Sequence, residues 1–513
     1  MTVDARKRPK KTAIKFFIKK DLLNASNFFF SRFSLDAEEF KNEGIPVRKC
    51  DVWNDISKRG GGCSASVLLG PQVKWTLLSL CRQIAWITKK EGAGSLRRFD
   101  PYFHSMNLIA LSIPIFLGLI ALEVGWDQVK RKGLYRLGDS LSNIGCGIMD
   151  QSSGLFAKVL TIGAYAAVFN WSADFRGWNV GSSAAVWIAV FLLTDFAYYW
   201  AHRFSHEVNV LWIGHVVHHQ SEDYNLGVAL RQSILQPVLL SWVYWPLAIF
   251  GFPPEMFLTA KAVNLLYQFW IHTELIGRMG MLEWVLNTPS HHRVHHGRNP
   301  EYIDRNHGGV FIIWDRMFGT FQEEIVKPTY GITRPTDTFN PIHAQWKPVA
   351  SLWNDLRRIP GWWDRFRFLF AAPGWYPESI GGPQTPPAIS GEEQKFHPRP
   401  SRRLMRVLTL RWIMLLAVAF IMLQLHQNYT TAVLGGILLW VFCALSAVGE
   451  MWNRGWGWGR LVLALGVDIT FVPVAAALAG GMDWGYAPMV ALALLSAAAT
   501  AGALKASRRY KEG

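Results

Sequence analysis

The chain has 513 residues, of which 50% are hydrophobic and 18% charged, with 25 tryptophans. Soluble chains carry about 25% charged residues, so this balance excludes a purely soluble multidomain protein and favours a membrane-embedded body. The net charge of +16 sits on an apolar chain without a nucleic-acid motif, so no nucleic-acid partner is expected and the charge is read as facing anionic lipid.

Residues 1–100 hold 20 Lys or Arg against 10 Asp or Glu. Their basic start runs into FFIKKDLLN rather than an apolar core, so they are not a signal peptide. They are expected to form a poorly ordered or non-native N-terminal extension. Apolar segments follow at 106–125, 155–171, 183–200, 235–250, 255–275, 409–425, 430–447, 461–480 and 486–504. A spanning helix needs about 20 largely apolar residues, and several of these qualify. Pro237, Pro246, Pro253 and Pro254 interrupt the pair 235–275, which predicts a bent or re-entrant hairpin.

The expected fold is all-α, a polytopic integral-membrane helical bundle. Residues 276–400 contain no span and mix Trp and Arg as a membrane interface does. Residues 381–405 read as a linker rich in Pro and Gly, and 406–513 as a C-terminal region of four membrane helices. Basic loops at 130–136, after Trp200, at 355–405, at 453–460 and in the tail fall on one side of this map, which is therefore expected to be cytoplasmic. The same parity places the basic residues 1–100 on the other side, a further reason to set them apart. Cys50, Cys63, Cys81, Cys146 and Cys443 form no CxxC pair, so neither a disulfide framework nor a zinc ribbon is expected.

Ten of the 15 histidines lie between His202 and His296. HRFSH sets His202 and His206 four apart. HVVHH sets His215, His218 and His219 at i, i+3 and i+4, and HHRVHH repeats this with His292, His295 and His296, His291 standing just before. His272 follows in QFWIHTE. Residues at i, i+3 and i+4 share a helix face, so three short helical turns can aim eight imidazoles, nine with His272, at one site. Unpaired polar groups beside a membrane core are costly, and metal ions that bind neutral rings remove that cost. Nine imidazoles are too many for one ion and suit two. Zinc, copper, iron and nickel all accept imidazole, and the zinc-protease signature HExxH is absent. A di-iron oxygen-activating centre is the best chemical fit. Asp195, Glu207, Glu222, Asp223, Asp304 and Asp315 are the carboxylates available to orient the rings. Glu123, in LIALEVGW at the end of the first span, is an isolated carboxylate at the bilayer edge and a candidate catalytic group with Asp195, Glu222 and Asp304.

The order H-x3-H, H-x2-HH, H-x2-HH after a span ending in TDFAYYW resembles the fatty acid hydroxylase / sterol desaturase superfamily. Within it, QFWIHTE, LNTPSHHRVHHGRNPEYIDRNHGGVFIIWDRMFGTF and YGITRPTDTFNPIHAQW look like the alkylglycerol monooxygenases, over roughly 103–380. The resemblance implies a membrane hydroxylase domain at 101–380 with two iron ions at a histidine-rich cap. His202, His206, His215, His218, His219, His292, His295 and His296 match its boxes as metal ligands, and His272 its additional ligand; His291 departs from the minimal box. It also implies O2 and tetrahydrobiopterin as co-reactants, a pterin or other electron donor as partner, and a lipid substrate drawn from the bilayer. The carbon next to an ether oxygen is hydroxylated and fatty aldehyde released. Sterol, fatty-acid or carotenoid hydroxylases and desaturases on the same scaffold are the alternative, and a histidine-rich metal transporter a remote one. The spans 106–125, 183–200 and 235–275 are expected to wall a tunnel from the bilayer to the metals, where bulky replacement of a small residue, Ala197 if it faces the tunnel, should shorten the accepted chain.

Overall fold

The computed structural model of the chain describes residues 108–390 and 393–455, with positions 457, 459 and 466. Contacts divide the chain into two units, Met1–Arg98 and Phe99–Gly513, and all described residues belong to the second. The extension expected at 1–100 and the spans expected at 461–480 and 486–504 lie outside the described residues.

Fourteen α-helices and no strands occur among the described residues. The first three are α1 (Leu108–Lys130), α2 (Leu137–Arg176) and α3 (Ala184–Glu207). Ser183 caps α3 by accepting from Val186 N, and Gly177 ends α2 in a left-handed conformation with φ 61°. Two one-turn helices follow, α4 (Asn209–Trp212) and α5 (Val216–His219). The proline-rich pair then breaks into α6 (Gln236–Leu240), a 3-10 turn, α7 (Trp245–Ile249) and α8 (Pro254–Trp270). Proline stands in the first turn of α6, α7 and α8, where its missing N–H costs nothing. The prolines thus start short helices and bend the chain.

Next come α9 (Pro289–His295), α10 (Ile313–Phe318), α11 (Pro341–Arg358) and α12 (Trp362–Phe370). The described part closes with α13 (Arg402–Leu425) and α14 (Thr431–Arg454). Among the described residues five helices are long and apolar enough to cross a membrane: Ser112–Lys130, α2, α3, Arg402–Asn428 and α14.

α2 runs far beyond the expected span at 155–171. Its 40 residues reach about 60 Å, twice a bilayer's hydrocarbon thickness. Much of the extra length, from Gly138 to Ser152, is buried against other helices. There Leu141, Ile148 and Met149 join α13 and α14 in one apolar core with Leu408, Leu415 and Val441. A second core packs α3 against the bent hairpin through Val190, Ala201, Leu247 and Phe257. α11 bridges the first core to α5, and α12 carries Trp362, Trp363, Phe366 and Phe370 on an exposed face.

α14 comes close to the N-cap of α11 at Gly449, where an added Cβ would lie 2.4 Å from Cα of Asn340. Asn340 cannot yield, because its side chain caps α11 by accepting from Ile342 N at 2.9 Å. Gly449→Ala should therefore destabilise the protein by about 1–3 kcal/mol. A lowered midpoint in detergent thermal unfolding checks this; an unchanged midpoint contradicts the packing.

Candidate metal centre

The C-terminal end of α3 carries His202 and His206 one turn apart, their ring centroids separated by 5.3 Å. His215, at the N-cap of α5, and His218 and His219 within it form the second set. His272 follows α8, and α9 with its C-cap supplies His292, His295 and His296. All nine are buried.

They do not converge on one point. His202, His206, His215, His219 and His295 form one group and His218, His272, His292 and His296 another, with the ligand atoms of each group within 4.8 Å of one another. Successive helical residues point about 100° apart. Each HH pair is therefore split: His218 and His219 serve different groups, as do His295 and His296.

The nitrogens suit a metal. His202 Nδ1 donates to the His307 carbonyl at 2.8 Å, His218 Nδ1 to Arg231 O at 2.9 Å, His272 Nδ1 to Gln268 O at 2.7 Å and His295 Nδ1 to Arg305 O at 2.9 Å. A ring that donates from Nδ1 keeps a lone pair on Nε2. Three pairs of these Nε2 atoms nearly touch: His202–His215 at 2.9 Å, His272–His218 at 3.2 Å and His292–His272 at 3.0 Å. In the His272–His218 pair both Nδ1 atoms are committed to carbonyls, so two lone pairs face each other and repel. Two nitrogens each about 2.0–2.1 Å from one cation sit about 3 Å apart when at right angles, which is what is seen. Nε2 of His206, His219, His295 and His296 is buried without a hydrogen-bond partner. Burial holds the His218 ring down to about 4, and burial with neighbouring rings holds His292, His295 and His296 well below the ordinary imidazole value. At neutral pH these rings are neutral and their lone pairs are available.

The candidate carboxylates stand around this layer. Asp195, fully buried on α3, accepts from Val310 N at 2.7 Å, Phe311 N at 3.1 Å, Trp314 Nε1 at 2.8 Å and Asn264 Nδ2 at 2.5 Å. Gln268 Nε2 donates to Asn264 Oδ1 at 2.6 Å and the Gln268 carbonyl holds His272, so Asp195 reaches a ligand through two amides. Gly309 permits this approach, because a Cβ there would lie 2.7 Å from Asp195 Oδ1. Glu123 accepts from Tyr135 OH, from Thr273 Oγ1 and from Leu226 N at 2.8 Å, tying α1 to the residue after His272. Asp304 lies 3.5 Å from His206 Nδ1. Glu222 pairs with Arg136 at 3.3 Å and accepts from Phe396 N at 2.8 Å, and among its described contacts there is no imidazole. Asp223 pairs with Arg136 and Lys395, and Glu207 with Arg203. Asp315 accepts from His307 N and Gly308 N, both at 2.7 Å. His291 faces Phe321 and joins neither group.

Three contributors stand outside the histidine boxes. Arg231, buried, donates to Val217 O, Ser142 Oγ, Asn143 Oδ1 and Gln220 Oε1 and offers its own carbonyl to His218. A lone arginine between apolar segments was its only signal. His307, buried, lies 5.2 Å from the His206 ring and orients His202 through its carbonyl, but it stands alone in the sequence. Tyr198 packs its ring 5.3 Å from His202.

Two cavities meet the imidazole layer from different sides. One, of about 640 Å³, touches His206, His219, His295 and His296 and is bordered by charged side chains such as Arg298, Asp304 and Arg334. The other, of about 290 Å³, touches His202, His215, His218 and His272 and has walls from α1, α3 and the bent hairpin, as expected. α2 and α13 complete it through Ile144, Gly147, Leu416 and Phe420, which the sequence did not point to. Ala197 packs in the second core instead of lining the cavity; Ala201, one turn on, is the lining alanine.

The Fatty acid hydroxylase family model matches residues 187–320, which hold all nine imidazoles. Alkylglycerol monooxygenase of Homo sapiens is 43% identical over 317 residues, covering 61% of this chain and 70% of that protein. Its Danio rerio counterpart is 39% identical over 343 residues, covering 66% and 75%. The chain belongs to the alkylglycerol monooxygenase family. A more distant likeness, 32% over 133 residues, covers 25% of this chain and 40% of an ornithine lipid hydroxylase of Rhizobium tropici. No solved structure matches the chain at a comparable level. As a member of this family with five helices fit to span a bilayer among the described residues, the protein is a multi-pass membrane monooxygenase that hydroxylates lipid, and each of the two imidazole groups could hold a metal ion.

His295→Ala removes a ligand whose Nδ1 is already anchored, so the shell loses both a donor and its geometry. Bound metal should fall by about one ion per chain and turnover by at least 100-fold, in line with losses at tuned metal sites. Elemental analysis of the purified variant checks it; full metal content would remove His295 from the ligand set.

Proposed function

We propose that the protein hydroxylates the alkyl carbon beside the ether oxygen of alkylglycerols. The resulting hemiacetal collapses to a fatty aldehyde and glycerol. The observation that carries this reading is the apolar cavity that opens on four of the nine imidazoles while a charged cavity meets four others. His206, His215, His219, His295 and His202 would hold one iron, and His218, His272, His292 and His296 the other. Bound there, the two irons would supply reductive activation of O2 for insertion into a C–H bond, with tetrahydrobiopterin as the electron donor.

The chain's own residues set up that chemistry. The carbonyls of His307, Arg231, Gln268 and Arg305 keep protons on Nδ1 and lone pairs on Nε2. Phe116, Leu117, Leu240 and Phe269 exclude water from the reacting carbon. Asp195 and Glu123 position ligand-bearing segments. The hydroxylase domain read as 101–380 borrows a wall from the C-terminal region, through α13.

Membranes containing the protein, supplied with 1-O-hexadecylglycerol, O2 and tetrahydrobiopterin, should release hexadecanal, and the purified protein should hold two irons per chain. Aldehyde formation that ignores the alkylglycerol, or a zinc-loaded centre, contradicts the reading.

We place the metal centre on the cytoplasmic side, from the basic loops that share its face. With native cysteines removed, a cysteine at Glu301 should react with impermeant thiol reagents only from the cytoplasmic side, and one at Asn179 only from the other. The reverse pattern inverts the protein.

A further inference from the structure

The apolar cavity contains a feature that hydrophobic tail binding does not need. Asp150 on α2 and Lys261 on α8 both border it, with Gln151, Gln236, Ser241 and Tyr244 nearby. α2 is long and apolar enough to span a bilayer, and charged side chains in such apolar surroundings are expensive and are kept where they meet a ligand or one another. Asp150 and Lys261 attract one another, but no ion pair within 4.0 Å joins them among the described residues. Asp150 Oδ2 accepts from Gln151 Nε2 at 2.9 Å. The Lys261 ammonium lies 4.6 Å from the centre of the Tyr244 ring and 5.8 Å from that of Phe257, and no hydrogen-bond acceptor reaches it among the described residues. A cavity of about 290 Å³ suits a small head and the first methylenes rather than a whole long-chain lipid, by the usual scale of ligand pockets. Its other border, Ile113, Phe116, Leu117, Leu416, Phe420 and Leu423, lies on the spanning helices α1 and α13.

We propose that Asp150 and Lys261 form the receptor for the polar head of the lipid substrate, and that they recognise a neutral vicinal diol. A hydroxyl both donates and accepts. One can donate to the Asp150 carboxylate while the other accepts from the Lys261 ammonium. The Asp150 carboxylate, which Lys158 and Lys261 both attract, would repel a phosphate head. With the diol held there, the ether carbon faces His202, His215, His218 and His272, and the tail leaves between α1 and α13. This orientation rests on the alkylglycerol reading above and adds to it the side chains that select the head.

The test compares 1-O-hexadecylglycerol with hexadecyl propyl ether, which keeps the chain and the ether carbon but lacks both hydroxyls. The iron-loaded full-length enzyme is used in lipid nanodiscs. The wild type should favour the diol in kcat/KM by on the order of 100-fold or more, as sites built to bond hydroxyls do. Lys261→Met and Asp150→Asn should shrink that ratio to below about 5-fold, mainly through KM for the diol, while Lys261→Arg should keep most of it. A wild type that treats both ethers alike, or that prefers the 3-phosphate of the diol, overturns the proposal. So does a variant that loses kcat on both ethers equally, the behaviour of a proton path or a structural pair. If the variants do not fold, the wild-type ratio alone decides. If neither ether is oxidised, the alkylglycerol reading fails, and the receptor is still read by displacement of a spin-labelled alkylglycerol: diol at least 10-fold better than propyl ether supports it, equal displacement overturns it.

Discussion

An imidazole offers a metal one lone pair only if its other nitrogen keeps the proton, and this choice has to be made ring by ring in a site that excludes water. Four backbone carbonyls make it here, those of His307, Arg231, Gln268 and Arg305. Much of the surrounding polar structure follows from that requirement. A carbonyl in a loop orients a ring only if the loop is rigid, and short irregular segments have little rigidity of their own. The buried charges supply it. Asp315 pins the amides of His307 and Gly308, Asp195 pins those of Val310 and Phe311, and Arg231 clamps α5 to α2.

These braces are fully used, which is why they are tolerable. Asp195 accepts four hydrogen bonds and Arg231 donates four. A buried charge satisfied in this way costs far less than an unpaired one. Losing one partner strands the rest, so substitutions remote from the metals can disorder them. The imidazole layer also works as a partition. Four rings face an apolar cavity and four others a charged one, so lipid and water-borne reactants can approach the same atoms without sharing a path.

The clustering of nine imidazoles was legible because helical pitch is a local property: i, i+3 and i+4 spacing survives into α3, α5 and α9. Their division between two groups follows from the same pitch, once adjacent histidines are seen to point apart. The bent hairpin was legible from Pro237, Pro246 and Pro254. The first half of α2 was hidden, since Asp139, Ser142 and Asn143 lower its hydropathy while bonding inward to Ser221 and Arg231. The carbonyl anchors have no signature, because every residue carries a carbonyl. Asp195 meets Val310 and Trp314 across more than a hundred residues, a pairing that no spacing encodes. For the same reason α13 could be read as an apolar helix but not as a wall of the lipid cavity.

The aromatic face of α12 is coupled to the metal layer by a short mechanical link. Asn209, three residues beyond His206, donates its amide N–H to Ala371 O at 2.9 Å and its side-chain Nδ2 to Phe368 O at 3.2 Å. Exposed Trp362, Trp363 and Phe366 suit the headgroup level of a bilayer. A change in lateral pressure or thickness that shifts α12 therefore pulls on the turn that follows a ligand. Two hydrogen bonds thus join an exposed aromatic helix to the turn that follows His206.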